Sequence, residues 1–204
     1  EPPAGVVVPR DAARLAAAVR GCGGGGVMPP PACASGTDRV AEAARGRDEE
    51  VIVTLRGDEP MMHPSVIDAV AAPLVADQGV LMTTAALLQE DPAEYGRSSV
   101  VKVGVDGRGD ALYFSRSPIP HYRDAGTGRY RKHLGIYGYR REFLFRVAAL
   151  APSRLEEAER LEQLRVLENG YRIRVVDVAH DSVGVDTPED LKAVEGRLCG
   201  PKRR

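Results

Sequence analysis

Short β-forming runs alternate with amphipathic stretches along most of the chain, and this alternation predicts the elements. Val6-Val7-Val8 reads as a strand, and Asp11–Arg20 as a helix with Leu15, Ala18 and Val19 on one stripe. Gly21–Gly26, interrupted by Cys22, lacks the Gly-Lys-Ser/Thr of a phosphate loop and reads as a helix C-cap and turn before Val27-Met28. Ser35-Gly36-Thr37-Asp38-Arg39 leads into a helix over Val40–Arg45, where free backbone N–H groups suit an anion or a polar base edge. Val51-Ile52-Val53-Thr54-Leu55 is a buried-strand pattern that ends in Gly57-Asp58-Glu59-Pro60.

A helix is expected from Pro64 to about Ala76, then a strand over Val80–Ala85. Val100–Val105 and Ala111–Ser115 form a hairpin turning at Asp106-Gly107. The prolines of Arg116–Pro120 stop regular structure, and His121–Arg131 is polar, glycine-containing and expected to be mobile. In the strand Lys132–Tyr139 the two-residue period puts His133, Gly135, Tyr137 and Tyr139 on one face, and Leu134, Ile136 and Gly138 on the other. Pro152–Asn169 reads as one long helix stopped by Gly170, and Ile173–Val178 as a strand. Thr187 is placed to cap a last helix with Pro188 at its first position.

Strands alternating with helices indicate an α/β fold, with a mixed sheet because the hairpin is antiparallel. Ligands of open α/β sheets lie beyond the carboxyl ends of the strands, where Asp58 sits. Asp186 is a second acid presented from a turn before a helix. One or two carboxylates with substrate phosphates are a normal setting for Mg²⁺. Spacing alone does not bring the two together. The half-polar face of His133 and Tyr137 resembles a pocket wall, although an ordinary half-exposed strand shows the same pattern.

Composition narrows the class. At 204 residues, 43% hydrophobic and 28% charged, the chain has the make-up of a single globular domain. A net charge of −1 argues against a nucleic-acid or membrane-surface partner. Three scattered cysteines, Cys22, Cys33 and Cys199, make neither a disulfide framework nor a zinc pattern, which fits a reducing cytoplasm. No apolar run approaches the roughly 20 residues of a membrane span. Arg56-Gly57-Asp58 spells an adhesion tripeptide, which carries little weight at a strand end.

Six blocks then occur in order: SGTDR at 35–39, GDEP at 57–60, ALYFSRSPIP at 111–120, KHLGIYGY at 132–139, LEQLRVLENG at 161–170 and GVDTPEDL at 184–191. Together they resemble the 3-deoxy-manno-octulosonate (Kdo) cytidylyltransferases, from about Val6 to Leu191. The resemblance implies a Rossmann-like, glycosyltransferase-A-like three-layer sandwich, usually a homodimer, with the dimerising hairpin and loops around residues 100–140. It implies transfer of CMP from CTP to Kdo with Mg²⁺, in lipopolysaccharide biosynthesis. Asp58 and Asp186 would be the catalytic metal carboxylates. Ser35, Gly36, Thr37 and Arg39 would lie by the cytidine, and Arg116, His133, Tyr137, Glu162 and Gln163 would face the sugar acid. Asp11 matches a further family aspartate.

The sequence also departs from that pattern. The family opens with a strand and a triphosphate-gripping loop of the type ARxxSxRLPGKPL, and residue 1 falls after that unit. Loss of one such donor typically costs about 2.7–4 kcal/mol, so the 204 residues alone are expected to release little pyrophosphate. Arg56 stands where the family has Gln, within reach of the metal carboxylate. A degenerate paralogue that binds the sugar acid without chemistry is the alternative reading.

Overall fold

A computed structural model of the chain describes residues 7–9, 25–27, 36–124, 128–182, 184–185 and 187–198. In chain order the first elements are β1 (Val7–Pro9), β2 (Gly25–Val27), α1 (Gly36–Ala44), β3 (Val51–Thr54), α2 (Pro64–Ala76), β4 (Met82–Gln89) and α3 (Pro92–Tyr95). There follow β5 (Lys102–Val105), β6 (Ala111–Ser115), β7 (Tyr130–Arg140), α4 (Arg141–Ala148), α5 (Arg154–Glu159), α6 (Leu164–Glu168), β8 (Arg174–Val178) and α7 (Pro188–Leu198). The chain divides into two compact units, Glu1–Ile52 with Arg140–Ala151, and Val53–Tyr139 with Pro152–Arg204.

In the first unit β1 and β2 pair in parallel, so Gly25 and Gly26 belong to a strand rather than to the expected turn. The helix predicted over Asp11–Arg20 lies outside the described residues. Helix α1 starts earlier than predicted and takes in Gly36, Thr37 and Arg39. It buries Ala41, Ala43 and Ala44 and packs on α4, which buries Phe143, Leu144 and Val147. The sequence reading missed α4, because it follows a strand directly and its N-cap, Arg140, makes no side-chain capping bond.

The second unit is built on a mixed sheet of order β6-β5-β7-β4-β8, with β3 paired to β7. The hairpin partners and both neighbours of β7 on this path run antiparallel, while β4 and β8 run parallel. The hairpin turn is longer than expected: Asp106 accepts from the N–H groups of Arg108 and Asp110, and Gly109 takes the left-handed conformation at φ 84°. Helix α2 has its predicted bounds, with His63 as N-cap. Its Val66 and Val70 pack with Ala85, Leu134 and Ile136 to form the core. A Cβ on Gly138 would lie 2.7 Å from Leu74 Cδ1, so only glycine lets α2 approach β7 this closely. Leu134, Ile136 and Gly138 are therefore buried, while His133, Gly135 and Tyr137 are left half-buried on the opposite face, as the period predicted; Tyr139, expected on that half-exposed face, is buried instead.

The predicted single helix over Pro152–Asn169 breaks in two. Arg160, at φ 54°, ends α5, and α6 begins at Leu164. Nine residues of continuous helix would separate Glu156 and Arg165 by about 13.5 Å along the axis. Instead Arg165 forks onto the Glu156 carboxylate, Nε to Oε2 at 2.7 Å and Nη2 to Oε1, with both side chains buried. The break folds α6 back on α5 and makes Glu162 and Gln163 part of a turn.

Candidate active site

The site elements of the second unit converge on β7 and the segment that leaves β3. Thr54 Oγ1 donates to Tyr137 O at 3.4 Å, and Leu55–Pro60 then leaves the sheet. Arg56 forks onto Asp58, Nε to Oδ1 at 3.0 Å and Nη2 to Oδ2 at 2.6 Å. The Arg56 side chain is 62% exposed and the Asp58 side chain 33%, so this is a surface pair screened by solvent. The Val185 N–H donates to Asp58 O at 2.7 Å, which brings the residue preceding Asp186 against the Asp58 backbone. Asp186 itself, like Ser35 and Asp11, lies outside the described residues. Thr187 and Asp190 form the predicted helix start: the Thr187 N–H and Oγ1 donate to Asp190 Oδ2, and the Asp190 N–H donates back to Thr187 Oγ1.

The half-polar face of β7 is a ladder of rings. His133 meets Phe114 edge-on at 4.9 Å and Tyr137 at 5.5 Å, and Tyr137 lies 6.3 Å from Tyr139. Thr84 fixes the histidine tautomer. Its hydroxyl donates its only proton to Ile136 O at 2.7 Å, so His133 Nε2, at 2.9 Å from Thr84 Oγ1, must be the donor of that bond. Burial, helped by the Arg56 charge, pushes the His133 pKa down to about 3, which keeps the ring neutral with Nδ1 as an acceptor. Burial, followed by the neighbouring Tyr139 and Glu162, pushes the Tyr137 phenol well above its usual range, and it stays a donor.

Between the rungs, Gly135 leaves room for two side chains of the β3 exit. A Cβ there would lie 2.6 Å from both Arg56 Cδ and Glu59 Oε1. Glu59 Oε2 is buried without a hydrogen-bond partner.

The third part of the site comes from the helical break. Gln163 is buried, and its Nε2 has no hydrogen-bond partner. Glu162, one residue earlier, acts electrostatically on Tyr137. Glu159 ties this turn to the hairpin end: its carboxylate accepts from Ser115 Oγ at 2.6 Å and from the Arg116 N–H at 2.9 Å. Arg116 returns the contact with Nε to Glu159 O at 2.8 Å, and its Nη1 reaches Ser98 O at 3.0 Å.

Asp58, His133, Tyr137, Arg116, Glu162 and Gln163 thus belong to one unit, whereas Gly36, Thr37 and Arg39 lie in the first turn of α1 in the other. Sequence reasoning missed Glu59, Thr84 and Glu159. A hydroxyl pair, Thr83-Thr84, inside an otherwise apolar strand was the available signal for the second of these.

Asp58 supplies hard oxygen ligands, both engaged by the Arg56 fork. Among the described residues no cluster of three or more His, Cys, Asp or Glu side chains could hold a metal. A cation held here would therefore need substrate oxygens besides Asp58, whose hard carboxylate has the chemistry for that role.

The mixed α/β sheet is of the nucleotidyltransferase-like type. A glucose-1-phosphate thymidylyltransferase structure from Bacillus anthracis superposes with a TM-score of 0.61 over 97% of this chain and 76% of its own; at 9% identity the likeness is one of fold alone. The family model for cytidylyltransferases matches residues 4–173. The 3-deoxy-manno-octulosonate cytidylyltransferase of Geobacter metallireducens is 48% identical over 95% of this chain and 80% of its own length. That of Myxococcus xanthus is 49% identical over 95% and 78% respectively. A solved CMP:2-keto-3-deoxy-manno-octonic acid synthetase complexed with CTP matches with a TM-score of 0.89 at 40% identity, covering 96% of this chain and 81% of that one. The chain belongs to the 3-deoxy-manno-octulosonate cytidylyltransferase family.

Proposed function

We infer that the protein transfers CMP from CTP to the anomeric hydroxyl of Kdo, releasing pyrophosphate. The geometric observation that carries this is the bond from the Val185 N–H to Asp58 O, because it joins the two acid-bearing segments. The family match extends through both segments. No observation favours the non-catalytic paralogue.

In this reading Asp58 and Asp186 hold Mg²⁺, which when bound neutralises charge on the phosphates and on the attacking hydroxyl. The remaining residues bind and orient the acid. His133 offers Nδ1 as an acceptor, the Tyr137 phenol and the Gln163 amide donate, Glu162 accepts, and Arg116 attracts the carboxylate. Gly36, Thr37 and Arg39 serve the cytidine from the start of α1, together with Ser35.

A homodimer through the hairpin is the expected assembly. Strand β6 ends the sheet order and leaves Leu112 exposed, which sedimentation equilibrium would test. A cytoplasmic setting for lipopolysaccharide biosynthesis fits these substrates. Among the described residues no helix is long and apolar enough to cross a membrane.

The test is Kdo-dependent pyrophosphate release from CTP with Mg²⁺. Asp58→Asn and Asp186→Asn should each lower kcat by about 10²–10³, a loss of the size seen for one charge-stabilising group. Full activity in both variants would remove the metal assignment.

A further inference from the structure

This inference rests on the reading of Asp58 as a metal carboxylate. We propose that Arg56 is a built-in competitor for the cation: it holds Asp58 while no divalent ion is bound, and passes to the carboxylate of the sugar acid when the ion takes Asp58. Cation and acid then bind cooperatively, through one side chain that changes partner.

Four observations place Arg56 for this exchange. Its fork occupies both Asp58 oxygens, so a cation gains its full share of the carboxylate only by displacing it. Its stem lies across Gly135, on the face of β7 that carries His133 and Tyr137, so a short swing keeps the guanidinium on the wall. The side chain is mostly exposed, and little packing opposes that swing. The charge of Glu59, close to the same glycine, attracts the guanidinium and keeps it at the wall after Asp58 is released.

The released guanidinium stays charged at any working pH and presents a planar fork, which matches a free carboxylate in two parallel hydrogen bonds. Asp58 loses a cation and gains one, so its charge is balanced in both states. The acid gains an anchor that exists only once the ion has arrived. By linkage the acid must tighten the ion by the same factor as the ion tightens the acid.

The test needs no turnover. Mn²⁺ binding to the full chain is followed by electron paramagnetic resonance, with and without saturating Kdo, in the wild type and in R56Q, R56K and D58N. In the wild type Kdo should tighten Mn²⁺ by about 5- to 20-fold. R56Q should bind Mn²⁺ more tightly than the wild type in the absence of Kdo, and the gain on adding Kdo should fall below about twofold. R56K, which keeps the charge without the planar fork, should retain part of the gain. Equal gains in R56Q and the wild type, or no gain in the wild type, would overturn the proposal while leaving the metal site standing. Undiminished Mn²⁺ binding by D58N would instead overturn the metal reading on which it rests.

Discussion

Replacing Glu156 by Gln removes one charge and almost no volume. The Arg165 fork then faces a neutral amide in a place where its side chain is 6% exposed and that of Glu156 11%. Arg165 cannot shed its proton, so the charge stays buried against a neutral amide. Breaking a buried pair from one side costs about 3–5 kcal/mol. With a urea m-value of about 2 kcal/mol/M, the unfolding midpoint should fall by about 1.5–2.5 M. The same change frees the back-folded α6, so the KM for Kdo should rise more than the KM for CTP. Replacing both partners, as Glu156→Leu with Arg165→Met, should recover most of the stability, because a well-packed apolar pair is commonly no worse than a buried ionic one. The assay is urea unfolding followed by circular dichroism, with the two KM values measured alongside. A loss below about 1 kcal/mol in E156Q, or a double variant as unstable as the single one, would refute the reasoning.

His133 gives a pH dependence. Its native pKa of about 3 lies below the unfolded value of about 6.5, so between these values the unfolded chain binds a proton that the native chain does not. Its contribution to stability is complete above about pH 6.5 and is lost as pH falls toward 3; the unfolding free energy of H133N, compared with the wild type across that window, should therefore decline less steeply. Gly135→Ala should fold, because the atoms it meets belong to long side chains rather than to backbone, but it must displace Arg56 and Glu59. A drop in kcat/KM for Kdo with a near-normal melting temperature is expected, and unchanged kinetics would show that neither side chain matters there.

Most of the fold was legible because the face of β7, the bounds of α2 and the hairpin pairing follow from local patterns. The two-residue period placed His133, Gly135 and Tyr137 opposite Leu134, Ile136 and Gly138, and Pro64 marked a helix start. What local patterns could not carry were contacts between distant positions. The break at Arg160 depends on an ion pair spanning nine residues, and nothing within one turn of helix announces it. Strand β4 runs on to Gln89, past the expected end at Ala85, because its partners on β7 and β8 continue there. Of the site, the residue types came from ordered motifs. The Thr84 hydroxyl that sets the His133 tautomer belongs to another strand, and sequence alone could not join them.

Glu159 accepts from both the hydroxyl and the backbone at the end of β6, while its own carbonyl is held by Arg116. Mechanically, this welds the strand end and the helical break into one lever. A shift of α5 would carry Arg116 along, so the end of β6 and the Glu162–Gln163 turn would move together.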